Sequence, residues 1–208
     1  MPHINIVQSL VLVTLIHVFF LKNSQNSVNS ILKWLLLFTF FNELINFFFK
    51  TNNISIGLPT TIFVVIFNFL WLYVFYIVSK NSYVLILAYI FSVINLVMIL
   101  SNNKIFEFNL LIFIIGAVIY LNVFIFISIT NISRQNLEFF SSNNILLVIA
   151  PVLFYIGFGF MFAFKGKILT RLQILPNIKL FTIISTFVNI IYYTLINVYI
   201  YKERKLNA

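Results

Sequence analysis

The chain has no cysteine and no aspartate, and its only acids are Glu43, Glu107, Glu138 and Glu203. Without cysteine there is no disulfide, no thiol nucleophile and no thiolate-held metal or iron–sulfur cluster. Without aspartate there is no di-aspartyl protease centre. The two histidines, His3 and His17, do not have the His-Glu-x-x-His spacing of a zinc protease. No Gly-x-Ser-x-Gly elbow occurs. No lysine lies between Lys179 and Lys202, which excludes a retinal Schiff base in the last apolar stretch. Gly157-Phe158-Gly159 sits in an apolar run with no preceding strand, so it is not a nucleotide loop. No cofactor and no metal are therefore expected, and an enzyme is the least favoured reading, though one Glu with Asn and Tyr could still do acid–base work.

Charge is the scarcest commodity. Thirteen basic and four acidic residues make up 8% of 208 positions, against about 25% in a soluble domain. Such a chain cannot clothe a water-facing surface. Hydrophobic residues are 62% of it and mean hydropathy is +1.08, which excludes disorder as well. The net charge of +9 does not imply nucleic acid. Its lysines fall where apolar runs end, at Lys22, Lys50, Lys80, Lys104, Lys165 and Lys202, as they do beside membrane spans.

A helix needs about 20 apolar residues to cross the hydrocarbon core. Seven stretches qualify, so the expected fold is an all-α membrane protein of seven transmembrane helices with short loops: Ile4–Leu21, Ile31–Phe49, Gly57–Val78, Tyr83–Leu100, Phe108–Ile129, Ile145–Phe164 and Ile178–Tyr201. They form a single domain over residues 1–208. A β-barrel would need alternating strands of about ten residues, and these runs are continuous. The first stretch lacks a basic flank and a small-residue cleavage site, so it is expected to stay as a helix. The connection Lys165–Asn177 mixes Lys165, Lys167 and Arg171 with Ile168, Leu169, Leu172, Ile174 and Leu175. It reads either as an amphipathic segment on the membrane surface or as a solvated basic loop. Outside that connection the basic residues favour the C-terminal side, which points to an outer N-terminus and an inner C-terminus in a bacterial inner membrane.

The informative residues are those that lipid should reject. An ionisable group at a helix centre costs about 2.5–3.5 kcal/mol on insertion scales and usually faces the bundle interior. Glu43 is the only acid well inside a span, with Asn46 at i+3 and Thr39 at i−4 on its face. At 1.5 Å per residue, Glu43 lies about 10 Å below the N-terminal-side face of the membrane. The same arithmetic puts Ser185 at about 10 Å, Asn95 at about 8 Å, Tyr155 at about 13 Å, and Asn68 and Asn189 at about 16 Å. Together they define a candidate polar pocket. In the last span Thr182, Thr186, Asn189, Tyr193 and Asn197 form one polar helical face. That stripe reads either as packing glue or as the wall of a ligand or ion pathway. His17 lies near the opposite membrane face, so Thr14 is a better partner for it than Glu43. Trp34 and Trp71 read as interface anchors or core filling. Asn68-Phe69-Leu70-Trp71 and Asn189-Ile190-Ile191-Tyr192 look like a possible internal repeat. Pro151 and the following glycines are expected to bend the sixth span or let it pack closely.

The spans, with Asn42-Glu43, Asn68-x3-Leu72-Tyr73 and Phe154-Tyr155-x-Gly157, resemble a group of small, functionally uncharacterised seven-helix bacterial membrane proteins. The resemblance implies the architecture and a role for Glu43; the partner is either another membrane protein or a sensor kinase, such as accompanies some members of the group. Three functions remain open: a sensor or signalling partner with a small-molecule or ion ligand; a small secondary transporter or proton-coupled carrier; and a structural subunit of a larger membrane complex. The lipid bilayer is a partner in all three.

Overall fold

The structure, a computed structural model, describes residues 6–21, 27–101, 108–163, 173–175 and 178–206. Its helices are α1 (Ile6–Phe19), α2 (Ser27–Thr51), α3 (Gly57–Ser79), α4 (Ser82–Ser101), α5 (Leu110–Ser133), the single turn α6 (Glu138–Ser141), α7 (Ile145–Ala163) and α8 (Leu180–Leu206). Six of them, α2, α3, α4, α5, α7 and α8, are long and apolar enough to cross a membrane. This agrees with a multi-pass membrane protein. The described part of α1 is 14 residues, about 21 Å long.

The ends form for local reasons. Asn109 caps α5 by accepting from Leu111 N–H at 3.1 Å, as an N-cap side chain does. Its own N–H donates to Thr61 Oγ1 at 3.1 Å, so Asn109 serves the helix end. Lys80 takes the left-handed conformation (φ 53°) and its N–H donates to Tyr76 O at 2.8 Å. That closes α3 and reverses the chain into α4 within two residues.

Only part of the Lys165–Asn177 connection lies within the described residues. There Gln173–Leu175 (β1) pairs antiparallel with Ile178–Lys179 (β2), so this portion is extended rather than helical. The basic residues of the segment, Lys165, Lys167 and Arg171, lie outside the described residues.

Short connections make successive long helices antiparallel. Five helices close a ring, each touching the next: α1 on α2, α2 on α3, α3 on α7, α7 on α8, and α8 on α1. Outside it, α4 packs on α3 and α5, and α5 packs on α3 and α7. The core runs through all of these, with Trp71, Phe75, Leu32, Leu36, Ile112, Leu147, Tyr192 and Ile196 essentially inaccessible. The outer faces carry large exposed apolar side chains such as Ile90, Val97, Val118, Phe126 and Phe187. Water would not tolerate so much apolar surface; lipid tails do.

Gly157 sits where α7 and α8 press together. A Cβ there would lie 2.3 Å from Val188 Cγ2, whereas one at Gly159 would meet nothing. Of these two glycines close packing thus belongs to Gly157, and α7 continues as helix through Pro151.

Candidate functional site: a cavity inside the helix ring

A cavity of about 240 Å³ lies inside the five-helix ring, in the half that holds the start of α1. From α2 it takes Thr39, Glu43, Asn46 and Lys50. Their spacings of 4, 3 and 4 residues put them on one helical face. From α8 it takes Ser185, Asn189, Tyr192 and Tyr193, from α3 Phe63 and Phe67, from α7 Phe154 and Phe158, and from α1 Val7.

The acidic group is Glu43, half-buried on the wall. The side chain of Gln8 hydrogen-bonds it and the Lys50 ammonium attracts it. Lys50 itself is exposed, about 10 Å further along α2, so it stands at the mouth and Glu43 within. Asn189 Nδ2 donates to Ser185 O at 2.8 Å, which leaves its amide oxygen for other partners. Thr39 Oγ1 donates to Leu35 O at 2.8 Å.

The rest of the wall is aromatic and continuous. Phe63 meets Phe67 at 5.3 Å, Phe67 meets Phe154 at 5.6 Å, and Phe154 meets Phe158 at 4.5 Å and Tyr192 at 5.1 Å between ring centroids. Behind them Trp71 Nε1 donates to Tyr192 Oη at 3.1 Å. The two segments with a repeat-like sequence therefore meet at their last residues. Trp34, by contrast, is exposed on the outside.

Of the residues expected to share a pocket, the structure brings together Glu43, Asn46, Ser185 and Asn189. It does not bring Asn68, Tyr155 or Asn95 to the cavity. Tyr155 Oη donates to Asn68 Oδ1, and both are buried beside Gly116 of α5, where a Cβ would lie 2.3 Å from Asn68 Nδ2. They form the α3–α5–α7 junction, on the far side of the ring wall. Asn95 is buried on α4, outside the ring, with Nδ2 donating to Phe91 O at 2.6 Å. Equal depth put these groups at one level; which way each helix turns them is a separate matter. Lys50, Gln8 and the aromatic wall were not expected. Lys50 was legible as the i+7 neighbour of Glu43 but reads first as a span boundary.

The polar stripe of α8 divides between its two readings. Asn189 and Tyr193 line the cavity. Lower down, Asn197 Nδ2 donates to Thr14 Oγ1 at 2.7 Å and His17 Nδ1 donates to Asn197 Oδ1 at 2.8 Å. That tautomer is the one an acceptor oxygen requires. His17 is thus tied to α8, and to Thr14 through Asn197, not to Glu43. Thr182 is exposed and takes no part in the cavity.

A second polar cluster, also not expected, closes the opposite end. Glu203 reads as one of several terminal charges, yet it is only 8% exposed because α8 continues to Leu206. Asn143 Nδ2 donates to Glu203 Oε2 at 3.3 Å and to Tyr199 O at 3.2 Å. Tyr199 Oη donates to Asn29 Oδ1 at 2.6 Å, and Lys33 Nζ donates to Leu21 O at 2.8 Å. The Arg204 guanidinium lies 5.8 Å from the centroid of the Phe20 ring. The chain just past α1, the start of α2, the turn before α7 and the end of α8 are tied there.

A larger recess of about 530 Å³ between α3 and α4 is lined by Ile62, Val65, Ile66, Phe69, Leu96 and their neighbours. It offers contact to hydrocarbon and no charged group. Among the described residues no three His, Cys, Asp or Glu side chains gather as a metal site would require. No protein-family model, curated protein or solved structure matches the chain.

Proposed function

We propose that the chain is a seven-helix integral membrane protein that acts as a sensor or signalling partner, taking a small ligand into the cavity around Glu43. The observation that carries this reading is a carboxyl group, two amides and the hydroxyls of Thr39 and Ser185 gathered on one cavity, in a chain of which only 8% is charged and whose four acids include one well inside a span. Lipid-embedded chains keep such groups where they pair or act. In this reading α1 is the seventh span, since it completes the ring. The N-terminus then lies outside and the C-terminus in the cytoplasm, and the signal passes to a membrane partner such as the sensor kinase that the sequence resemblance implies.

The bonded end around Glu203 favours a sensor over the rival carrier. A carrier must open alternately to both sides, and that end ties four helices together. Glutamate-dependent, pH-dependent flux in proteoliposomes would support the carrier instead. A stoichiometric partner in mild detergent that needs Glu43 for its binding would support a structural subunit.

The absence of native cysteine makes the test clean. A single cysteine at Ser185 or Asn46 should react with a membrane-impermeant thiol reagent applied from the N-terminal side, and one at Asn95 should not. Equal protection of all three positions, with an unchanged phenotype in Glu43→Gln and Asn189→Ala, would remove the pocket. A reporter fused after Ala208 checks the orientation.

A further inference from the structure

The wall of the cavity also says what kind of ligand it takes. Its interior charge is one carboxylate, Glu43, and its neutral polar groups are Thr39, Asn46, Ser185 and Asn189. The remainder is built largely from six rings: Phe63, Phe67, Phe154, Phe158, Tyr192 and Tyr193. An aromatic face carries negative quadrupole density and attracts a cation, more strongly when water is excluded. Carboxylate and rings therefore favour the same sign of ligand charge. An apolar body gains from the same rings by burial. The volume of 240 Å³ is below the usual range for drug-sized ligands, about 300–1,000 Å³, so the ligand is small.

Lys50 is the group that argues for an anion, and its position answers that argument. It is exposed and its charge acts on Glu43. From the same face of α2 its positive charge acts on Glu43 across the cavity. A ligand that brings its own positive charge to Glu43 replaces that attraction, and the lysine is free to turn to water or to lipid headgroups at the mouth.

Resting on the pocket reading above, we propose that the cavity binds a small organic ammonium ion, its nitrogen seated against Glu43 among the aromatic rings and in competition with Lys50. The pocket reading requires only an accessible cavity; this inference requires that charge decide what enters.

The protein carries its own probe. Trp71 is buried and donates to Tyr192 of the wall, and the only other tryptophan, Trp34, lies exposed outside. In the full-length Trp34→Phe chain in nanodiscs, Trp71 fluorescence is titrated with choline, with tetramethylammonium, and with the neutral carbon isostere of choline. Both cations should give a saturable change, and the isostere should bind at least about tenfold more weakly, a difference of about 1.4 kcal/mol. Glu43→Gln should lose about tenfold or more, while Glu43→Asp keeps binding and shows that the pocket still folds. Lys50→Met should bind the cations more tightly, because the competitor is gone. Equal binding of the isostere, weaker cation binding in Lys50→Met, or no saturable change with either cation overturns the inference. If the cations fail while the thiol reagent still reaches Ser185→Cys, the pocket stands and only its selectivity for ammonium falls.

Discussion

The two ends of the helix ring handle polar groups in opposite ways. At the end near Glu203, side chains bond one another and the backbone: Tyr199 with Asn29, Asn143 with Glu203 and the Tyr199 carbonyl, Lys33 with the Leu21 carbonyl, while Asn29 Nδ2 and Asn143 Oδ1 are buried without a partner among the described residues. At the end near Glu43 the ring widens around a cavity, and Glu43, Asn46, Ser185 and Asn189 border open space. Each end has one acid within the protein, and the cavity lies beside Glu43. Buried polar groups that satisfy each other hold helices together; polar groups facing a cavity can exchange partners. The difference supports the proposed reading, with a structural role for one end and binding at the other.

The comparison can be broken by substitution, and the largest effect is expected at two tight seams of the wall, α5 on α3 and α7 on α8. Gly116→Ala drives a methyl into Asn68, and Gly157→Ala drives one into Val188. Each should cost about 1–3 kcal/mol, the usual penalty of overpacking, read as a lower unfolding midpoint in nanodiscs. If either is neutral, the wall is softer than its geometry states. Next comes Glu203→Ala, which removes the acceptor at 3.3 Å from Asn143. A loss of about 1–2 kcal/mol is expected, the cost of stranding a buried polar group. A stability cost no greater than that of Glu43→Gln would erase the contrast between the two ends.

Asn197→Ala should be milder. It frees Thr14 and His17 from α8, and single interhelical hydrogen bonds in membranes average about 0.6 kcal/mol. Detachment of α1, seen as faster proteolysis of the N-terminal segment, is its specific signature. Smallest for stability is Glu43→Gln, within about 0.5 kcal/mol, because the cavity demands no packing partner. Its effect should appear in binding and signalling alone. A collapse of stability there would move Glu43 from the binding end to the structural one.

Much of the architecture was legible because its cause is one-dimensional. Apolar runs of span length bounded by lysines become helices in lipid whatever they pack against. The observed α2, α3, α4, α5, α7 and α8 lie within a few residues of the expected stretches, except that α8 runs on to Leu206. The face shared by Thr39, Glu43 and Asn46 was equally legible, since 3.6-residue periodicity sets neighbours within one helix. Depth from the membrane face was legible too, through the rise per residue.

What depth cannot supply is direction. Asn68 and Asn189 share a depth by counting, yet one is bound to Tyr155 against α5 and the other lines the cavity. Glu203 looks like a terminal charge in sequence and is buried because the segment around Asn143 folds over α8. Composition and periodicity thus determine by themselves that this chain is a bundle of apolar helices and that Glu43 is out of place in lipid. Only the tertiary structure decides that α1, α2, α3, α7 and α8 close around Glu43 while α4 and α5 stay outside. That choice depends on how each helix is rotated about its axis, and rotation is set by contacts such as Gly157 on Val188, between residues far apart in the chain.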